Sequence, residues 1–496
     1  LSITYLCWPN FWPQMCMPFF RKMDVTMFDT QYTSGMPRAL GTPMDMMEIL
    51  EMAESNAPDK PVWGIEVYVQ PQFDAEFTAL QNWGLLAHGM TNNLVFGWGP
   101  YSDTGIPKTS RAWEKADAGP MWMLIDLDGT KLPAYFTNQR SLREIQQFHQ
   151  KFDGLSLKRI PTDCAFYASR DTAEYISYET ANKPWDSVWT RTRNNLSYLL
   201  RMNGITADFV DDETLPEKPG RFHSLIVPAS YVLSQESAGK IARFARQGGT
   251  VILAGVSGVV DPWTKKYDCL GGPAWAELQW QAPDFKPGIA AVNFAGDIKA
   301  LGSLPEAIVV DGQKQPVSMI DETKVFKGTG INAMPNSEEL RDVAGAVVGW
   351  KRPWGKGQII AYAALPDSYG SNPHPARNAS AWLKQLIEAG GLRYTGRWNP
   401  GQIADTAGMH GAGAPVVEVV VRARKGEESR EKFVFVLNQG GAGQGTVEVP
   451  VGAGKWQVTD ALGGNMVPDA VIVKGVLTQK LTVRPWEYRV FHLVAR

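Results

Sequence analysis

The sequence predicts an α/β chain that closes in an all-β unit. Three observations carry this. Apolar, β-rich runs alternate with helical patterns over residues 1–160. The alternation returns with different parts over 161–397. From 398 to 496 only short β-rich runs remain, several of them separated by glycine-rich turns. Strand–helix alternation implies a parallel sheet covered by helices, whereas closely spaced short strands imply a sandwich.

In the first unit, Ser2–Cys7, Asp24–Phe28, Pro61–Glu66 and Asn93–Trp98 read as strands. Thr42 followed by Pro43 is a cap followed by a first-turn proline, and Met46, Ile49, Leu50 and Ala53 then recur at helical spacing. Phe77, Leu80, Gly84 and Ala87 form a similar face that ends at Gly89, and Leu142, Ile145, Phe148 and Phe152 form another. In the second unit the strands are Asp163–Ser169, Ala207–Val210, Ser224–Pro228 and Thr250–Ala254. Helices are expected over Val188–Met202, closed by Gly204, and from a Ser234 cap to Gly248-Gly249; this is a doubly wound pattern. An insertion follows, then a hairpin across Arg352–Gly357 and a helix from Asn378 to Ala389. The last unit offers Val416–Val421, Phe433–Leu437, Thr446–Val449, Trp456–Thr459, Leu481–Val483 and Tyr488–Leu493, a β-sandwich pattern.

Composition narrows the function classes. A net charge of −2 gives no electrostatic footprint for nucleic acid or an anionic membrane, and no apolar run is long enough to span a bilayer. Cys7, Cys16, Cys164 and Cys269 form no zinc-type spacing and the six histidines form no metal pair, so no metal is expected. The compartment stays open. The chain holds 18 Trp and 15 Tyr, with Trp8, Trp12, Trp63, Trp83, Trp98, Trp113 and Trp122 crowded towards its start. Aromatic faces stack on sugar rings, although most of these side chains are expected in the core. The chain opens directly on a strand, without Met or a signal-peptide pattern, and reads as starting inside a domain.

If the first unit is part of a barrel, its chemistry lies where the strands end. Those ends are Trp8-Pro-Asn10, Asp29-Thr-Gln-Tyr32, Glu66-Val-Tyr68 and Trp98-Gly-Pro-Tyr-Ser-Asp103, a rim of carboxylates, aromatics and amides suited to a polyhydroxylated ligand. Glu66 follows Val62-Trp63-Gly64-Ile65, where burying a carboxylate is costly unless it is paired or functional. It is either a glycosidase nucleophile or a structural Glu in an ion pair. Asp29 is a second rim carboxylate or a loop cap. Tyr32 is a donor to the nucleophile or a packed rim tyrosine, and Trp98 a sugar platform or core. Other signals fail. Gly255-Val-Ser257-Gly258 lacks the spacing of a nucleophile elbow, and Trp354–Gly357 lacks that of a phosphate loop.

The runs Leu1–Leu6 through Met23–Tyr32, Lys60–Glu66 and Leu85–Trp98 resemble the fifth to eighth barrel strands of the family 42 glycoside hydrolases, which are β-galactosidases. Tyr198–Phe209, Leu225–Pro228 and Gly248–Ile252 resemble that family's trimerisation domain, and Phe433–Asn438 its terminal β-domain. The resemblance implies strands 5–8 of a TIM (β/α)8 barrel over 1–160, a flavodoxin-like trimerisation domain over 161–397 and a β-sandwich over 398–496. It implies a retaining glycosidase with Glu66 as nucleophile, and Trp8, Asn10, Asp29, Tyr32, Tyr68, Trp98 and Asp103 around the substrate. The hydrolytic chemistry implied in this way needs no metal or organic cofactor. A homo-oligomer, possibly a trimer, is implied as well, with a carbohydrate as the ligand.

Two departures accompany it. The family's acid/base follows an Asn at the end of the fourth strand, and this chain has no Asn-Glu pair. The N-terminal half of the barrel, in the same protein or a companion chain, is therefore expected to supply the proton donor. The family also carries an acidic residue and a histidine after the eighth strand, where this chain offers Asp103 and no histidine. This departure leaves room for a glycone that differs from plain β-galactose. The competing reading is a carbohydrate-binding scaffold that has lost its acid. A third, an amidotransferase-type enzyme using the middle unit, needs a cysteine at a strand–helix elbow, whereas Cys164 lies within a strand.

Overall fold

The computed structural model describes residues 3–6, 13–30, 47–68, 75–96, 124–125, 129–174, 188–228, 230, 232–254, 257–258, 261–263, 274–275, 308–310, 313–315, 319–321, 336–341, 347–362, 364–366, 386–399 and 415–496. The first unit runs β1 (Ile3–Leu6), α1 (Pro13–Lys22), β2 (Val25–Thr30), α2 (Met47–Asn56), β3 (Val62–Tyr68), α3 (Ala75–Ala87) and β4 (Asn92–Phe96). The strands pair in chain order and all are parallel. Each helix is thus the crossover a parallel pair requires. The apolar face of α2 is buried as its periodicity predicts, and the Thr42-Pro43 cap lies outside the described residues. Gly89 closes α3 at φ +94°, in the region that favours glycine. A Cβ there would stand 3.2 Å from Glu54 Oε2.

The two faces of this sheet differ. Asn93 donates to Asn82 Oδ1 of α3 at 3.1 Å, so its neighbours Asn92 and Leu94 face the opposite way. On that face Met27 and Trp63, which share a register row with Asn92, are only half-buried, and Leu94 is 52% exposed.

Next comes α4 (Pro133–Phe152), laid against α3. Phe148 and Phe152 are buried as expected, but Leu142 is exposed. The covered stripe instead passes through Asn138 and Ser141, both of which accept hydrogen bonds from Asn82 at 2.8 Å. The helix sits on a polar contact that an apolar count misses. A short strand β5 (Leu157–Arg159) follows.

The central unit contains β6 (Cys164–Tyr167), α5 (Val188–Met202), β7 (Asp208–Val210), β8 (Ser224–Pro228), α6 (Gln235–Arg246) and β9 (Thr250–Ala254). Beyond it lie the short strands β10 (Ile308–Val310), β11 (Gln313–Gln315) and β12 (Met319–Asp321). Then come β13 (Glu338–Arg341), β14 (Val347–Trp354), β15 (Gly357–Tyr362) and β16 (Ala364–Pro366). Seven strands form one sheet in the order β13-β14-β15-β9-β8-β6-β7. Its stretch from β7 to β15 is parallel, and β7-β6-β8-β9 has the strand order of doubly wound folds. Ser234 caps α6, its hydroxyl accepting from Ser237 N. The hairpin β14–β15 turns at Gly355-Lys356, as read from the sequence.

The chain closes with β17 (Arg397–Asn399), β18 (Val417–Arg424), β19 (Glu431–Asn438), β20 (Gly443–Pro450), β21 (Trp456–Asp460), β22 (Val471–Val473), β23 (Val476–Val483) and β24 (Tyr488–Ala495). They form two antiparallel sheets, β17-β20-β23-β22 and β21-β24-β19-β18-β5. Trp398, Val417, Val419, Val421, Val434, Val436, Val447 and Leu493 fill the space between them. The opposite side of the five-stranded sheet presents Phe433, Phe435 and Leu437 to the main core, where Phe148 and Trp83 meet Phe435. Its β18 and β19 are therefore buried on both faces, which explains the apolar runs Val419–Val421 and Phe433–Leu437.

Candidate active site

The carboxyl ends of β1–β4 carry the sequence-derived site. In β2, Phe28 pairs with Gly64 of β3, but the next residue, Asp29, pairs with Glu66 and not with Ile65. On the other flank Gly64 pairs with Asn93 and Val67 with Val95, so β3 holds one extra residue against both neighbours. This is a bulge of the type that re-aims residues beside functional sites. Because strand side chains alternate with a period of two, a one-residue slip exchanges which residue shares a row with its neighbour. Here it places the two carboxylate-bearing residues Asp29 and Glu66 in register on adjacent parallel strands. Strand β3 then continues past Glu66 to Tyr68, which pairs with Phe96 at the end of β4. Trp8, Asn10, Tyr32, Trp98 and Asp103 lie outside the described residues.

Beneath this rim lies a set of buried charges. Along α2, Glu48, Glu51 and Glu54 are all buried. Glu54 receives two hydrogen bonds from Arg422 of β18, at 3.0 and 2.6 Å, and one from the backbone N–H of Arg159 at 3.0 Å. Burial alone raises the Glu54 pKa, but Arg422 and Arg159 outweigh it and hold the carboxyl below its ordinary value. Arg422 also donates to the carbonyls of Ala87 at 3.1 Å and Leu157 at 2.8 Å, closing the end of α3 onto the sandwich. Arg159 pairs with Asp208 and donates to Ala207 O at 2.8 Å, reaching the seven-stranded sheet. Arg193 of α5 pairs with Glu48 at 2.8 Å.

His88 stands between Glu51 at 3.4 Å and Glu418 at 3.3 Å, all three buried. Burial disfavours its charged form, yet Glu418 and Glu51 together raise its pKa above the usual histidine value. For Glu51, burial is likewise outweighed, by Arg201 and His88, and its pKa falls. These residues join the three units and are closed to substrate. Sequence periodicity overlooks them, because three glutamates spaced by three resemble a solvated helix face. The detectable signal is that this stripe has no lysine or arginine partner on its own helix.

Two other places are tested by the geometry. Cys164 is buried inside β6, with its thiol pushed up by burial and by nearby aspartates, the opposite of the surroundings that activate a thiol. At the carboxyl ends of β6 and β7, Asp212 accepts from Tyr167, from Ser237 at 2.7 Å and from the Arg170 backbone at 3.1 Å. These hydrogen bonds tie Asp212 to β6, to the turn after it and to α6. Among the described residues no group of three or more His, Cys, Asp or Glu side chains is placed to hold a metal ion.

Residues 173–278 match the β-galactosidase trimerisation domain. The whole fold is similar to that of the β-galactosidase from Bacillus circulans sp. alkalophilus, at 16% identity and a TM-score of 0.62, covering 99% of this chain and 63% of that one. It is similar to the β-galactosidase from Rahnella sp. R3, at 13% identity and a TM-score of 0.60, covering 99% and 63%. It also resembles an exo-carrageenase of glycoside hydrolase family 42 from Bacteroides ovatus, at 12% identity and a TM-score of 0.51, covering 98% and 51%. No curated protein matches the chain. The chain thus resembles the family 42 β-galactosidases and spans less than two thirds of these relatives' length.

Proposed function

We propose that this chain is the C-terminal part of a retaining glycoside hydrolase acting on β-galactoside-like oligo- or polysaccharides. Residues 1–160 are then strands 5–8 of a TIM barrel, 161–397 the trimerisation-type domain and 398–496 the β-sandwich. The observation that carries the proposal is the register of Asp29 with Glu66 at the carboxyl ends of parallel strands, produced by the bulge in β3. It stands in a fold similar to that of known β-galactosidases.

Glu66 attacks the anomeric carbon as the glycosidic bond breaks. A carboxylic acid on the N-terminal half of the barrel protonates the leaving oxygen, then takes a proton from the water that releases the sugar. Asp29, Tyr68 and, beyond the described residues, Trp8, Asn10, Tyr32, Trp98 and Asp103 shape the sugar subsites. The half-covered face bearing Met27, Trp63 and Leu94 supports an absent layer of barrel strands, since apolar residues on a sheet face call for a packing partner.

The test is labelling of the intact protein, with its N-terminal half present, by a 2-deoxy-2-fluoro galactosyl fluoride, followed by peptide mapping. A glycosyl ester on Glu66 is expected. No label with galacto, gluco or manno reagents overturns the nucleophile assignment and favours the carbohydrate-binding scaffold.

A further inference from the structure

Trp263 is 86% exposed, the most exposed large apolar side chain among the described residues. Tryptophan is rarely left in water, because its indole removes more apolar area from solvent than almost any other side chain. The backbone of Trp263 itself is hydrogen-bonded. Its N–H donates to Asp261 Oδ1 at 2.9 Å, and Asp261 is itself buried. Just before it, Ser257 Oγ accepts from Ser230 N at 3.0 Å and Gly258 N donates to Ser230 O at 2.8 Å, with Ser230 and Ser257 both buried. Ser257 and Gly258, beyond the carboxyl end of β9, are thus tied to Ser230 after β8. The indole nearby is presented to solvent. Covering so large an apolar side chain removes more area from water than covering almost any other residue, which is why Trp is enriched among interface anchors.

The indole also lies inside the 173–278 segment that matches the β-galactosidase trimerisation domain. We propose that Trp263 is an anchor of the contact between copies of this chain, seated in a pocket of a neighbouring subunit. The inference is independent of the glycosidase reading, because assembly is measured without any substrate.

Buried Trp anchors at interfaces typically carry about 2 kcal/mol or more, equivalent to about thirtyfold in the dissociation constant. The experiment is sedimentation velocity of the whole protein over a dilution series, comparing wild type with Trp263→Ser and Trp263→Phe. Wild type is expected as an oligomer. Trp263→Ser should shift the dissociation midpoint about thirtyfold towards higher concentration, and Trp263→Phe should restore part of the loss. Circular dichroism and the unfolding temperature of the dissociated subunit should change little, because the side chain is 86% exposed. A wild type that is monomeric throughout overturns the proposal. So does a Trp263→Ser oligomer with unaltered affinity, including one that has lost only saccharide binding.

Discussion

The four-stranded and seven-stranded sheets follow one plan of parallel strands with helical crossovers, yet they differ in how they are covered. Every residue of β8 and all but the first of β9 are buried, and their sequences, Leu225-Ile-Val and Val251-Ile-Leu-Ala, are unbroken apolar runs. The four-stranded sheet is packed on its helix side by α3. It leaves Leu94 half in water on the other. A sheet covered on both faces completes itself, whereas one covered on a single face is held from behind. The holding is done by buried charge. Glu48, Glu51 and Glu54 on α2 and His88 after α3 engage Arg193 and Arg201 of the central unit and Glu418 and Arg422 of the sandwich.

The sharpest way to break this contrast is to remove the clamp. Arg422→Met leaves Glu54 buried and short of its bidentate partner. Breaking a buried pair by removing one member costs about 3–5 kcal/mol. The unfolding transition of the first unit should fall accordingly, as followed by differential scanning calorimetry. An unchanged transition would mean that Arg159 alone satisfies Glu54.

A paired truncation compares the two sheets directly. Leu253→Ala in β9 removes a fully enclosed side chain and should cost about 2–5 kcal/mol. Leu94→Ala in β4, at 52% exposure, should cost under about 0.5 kcal/mol in this chain. In the protein carrying the rest of the barrel, Leu94→Ala should rise towards the Leu253→Ala value. Equal small costs in both contexts would show that nothing covers that face.

The clamp also has a pH signature. The His88 pKa is raised in the folded state, so its contribution is fully present below the unfolded-state value and lost as pH rises through the folded one. Its neighbours Glu51 and Glu418 remain as facing carboxylates, with Arg201 beside Glu51. The stability gap between wild type and His88→Gln, measured by urea unfolding, should be largest in mildly acidic buffer and shrink towards alkaline pH. A gap that widens with rising pH would place a neutral histidine between the two glutamates.

Much of the scaffold was legible in the sequence. Ser224–Pro228, Thr250–Ala254 and Val188–Met202 have the bounds that the sequence predicts, because apolar periodicity and a terminal glycine mark such elements from within. What periodicity could not reveal depends on distant partners. The bulge at Glu66 is a mismatch in residue number between three strands, visible only once they are paired. Strand β5 is three residues that join β18 far along the chain, and Arg422, next after the apolar run Val419–Val421 of β18, reaches a glutamate on α2. Charged residues in apolar surroundings were the available hint, and Glu66 was read from that hint while Arg422 was not.

The smallest expected effect concerns the self-sufficient sheet. Ser234 accepts from Ser237 N at 3.2 Å at the start of α6, while its own N–H is taken by Asp171 at 3.1 Å. Ser234→Ala removes only the first bond, and loss of such a cap costs about 1 kcal/mol, against a few tenths for Ser234→Gly. Burial, reinforced by Asp212, pushes Asp171 up to about 6, so its carboxylate is partly protonated in mildly acidic buffer. The Ser234→Ala cost should therefore be read at pH 8, where Asp171 is ionised and continues to hold the Ser234 backbone. If the central unit closes its own helix ends independently of the clamp, the effects of Ser234→Ala and Arg422→Met should add within about 0.5 kcal/mol. A larger coupling would mean that the two sheets share one cooperative core, and that the exposed face of the first is stabilised through the second.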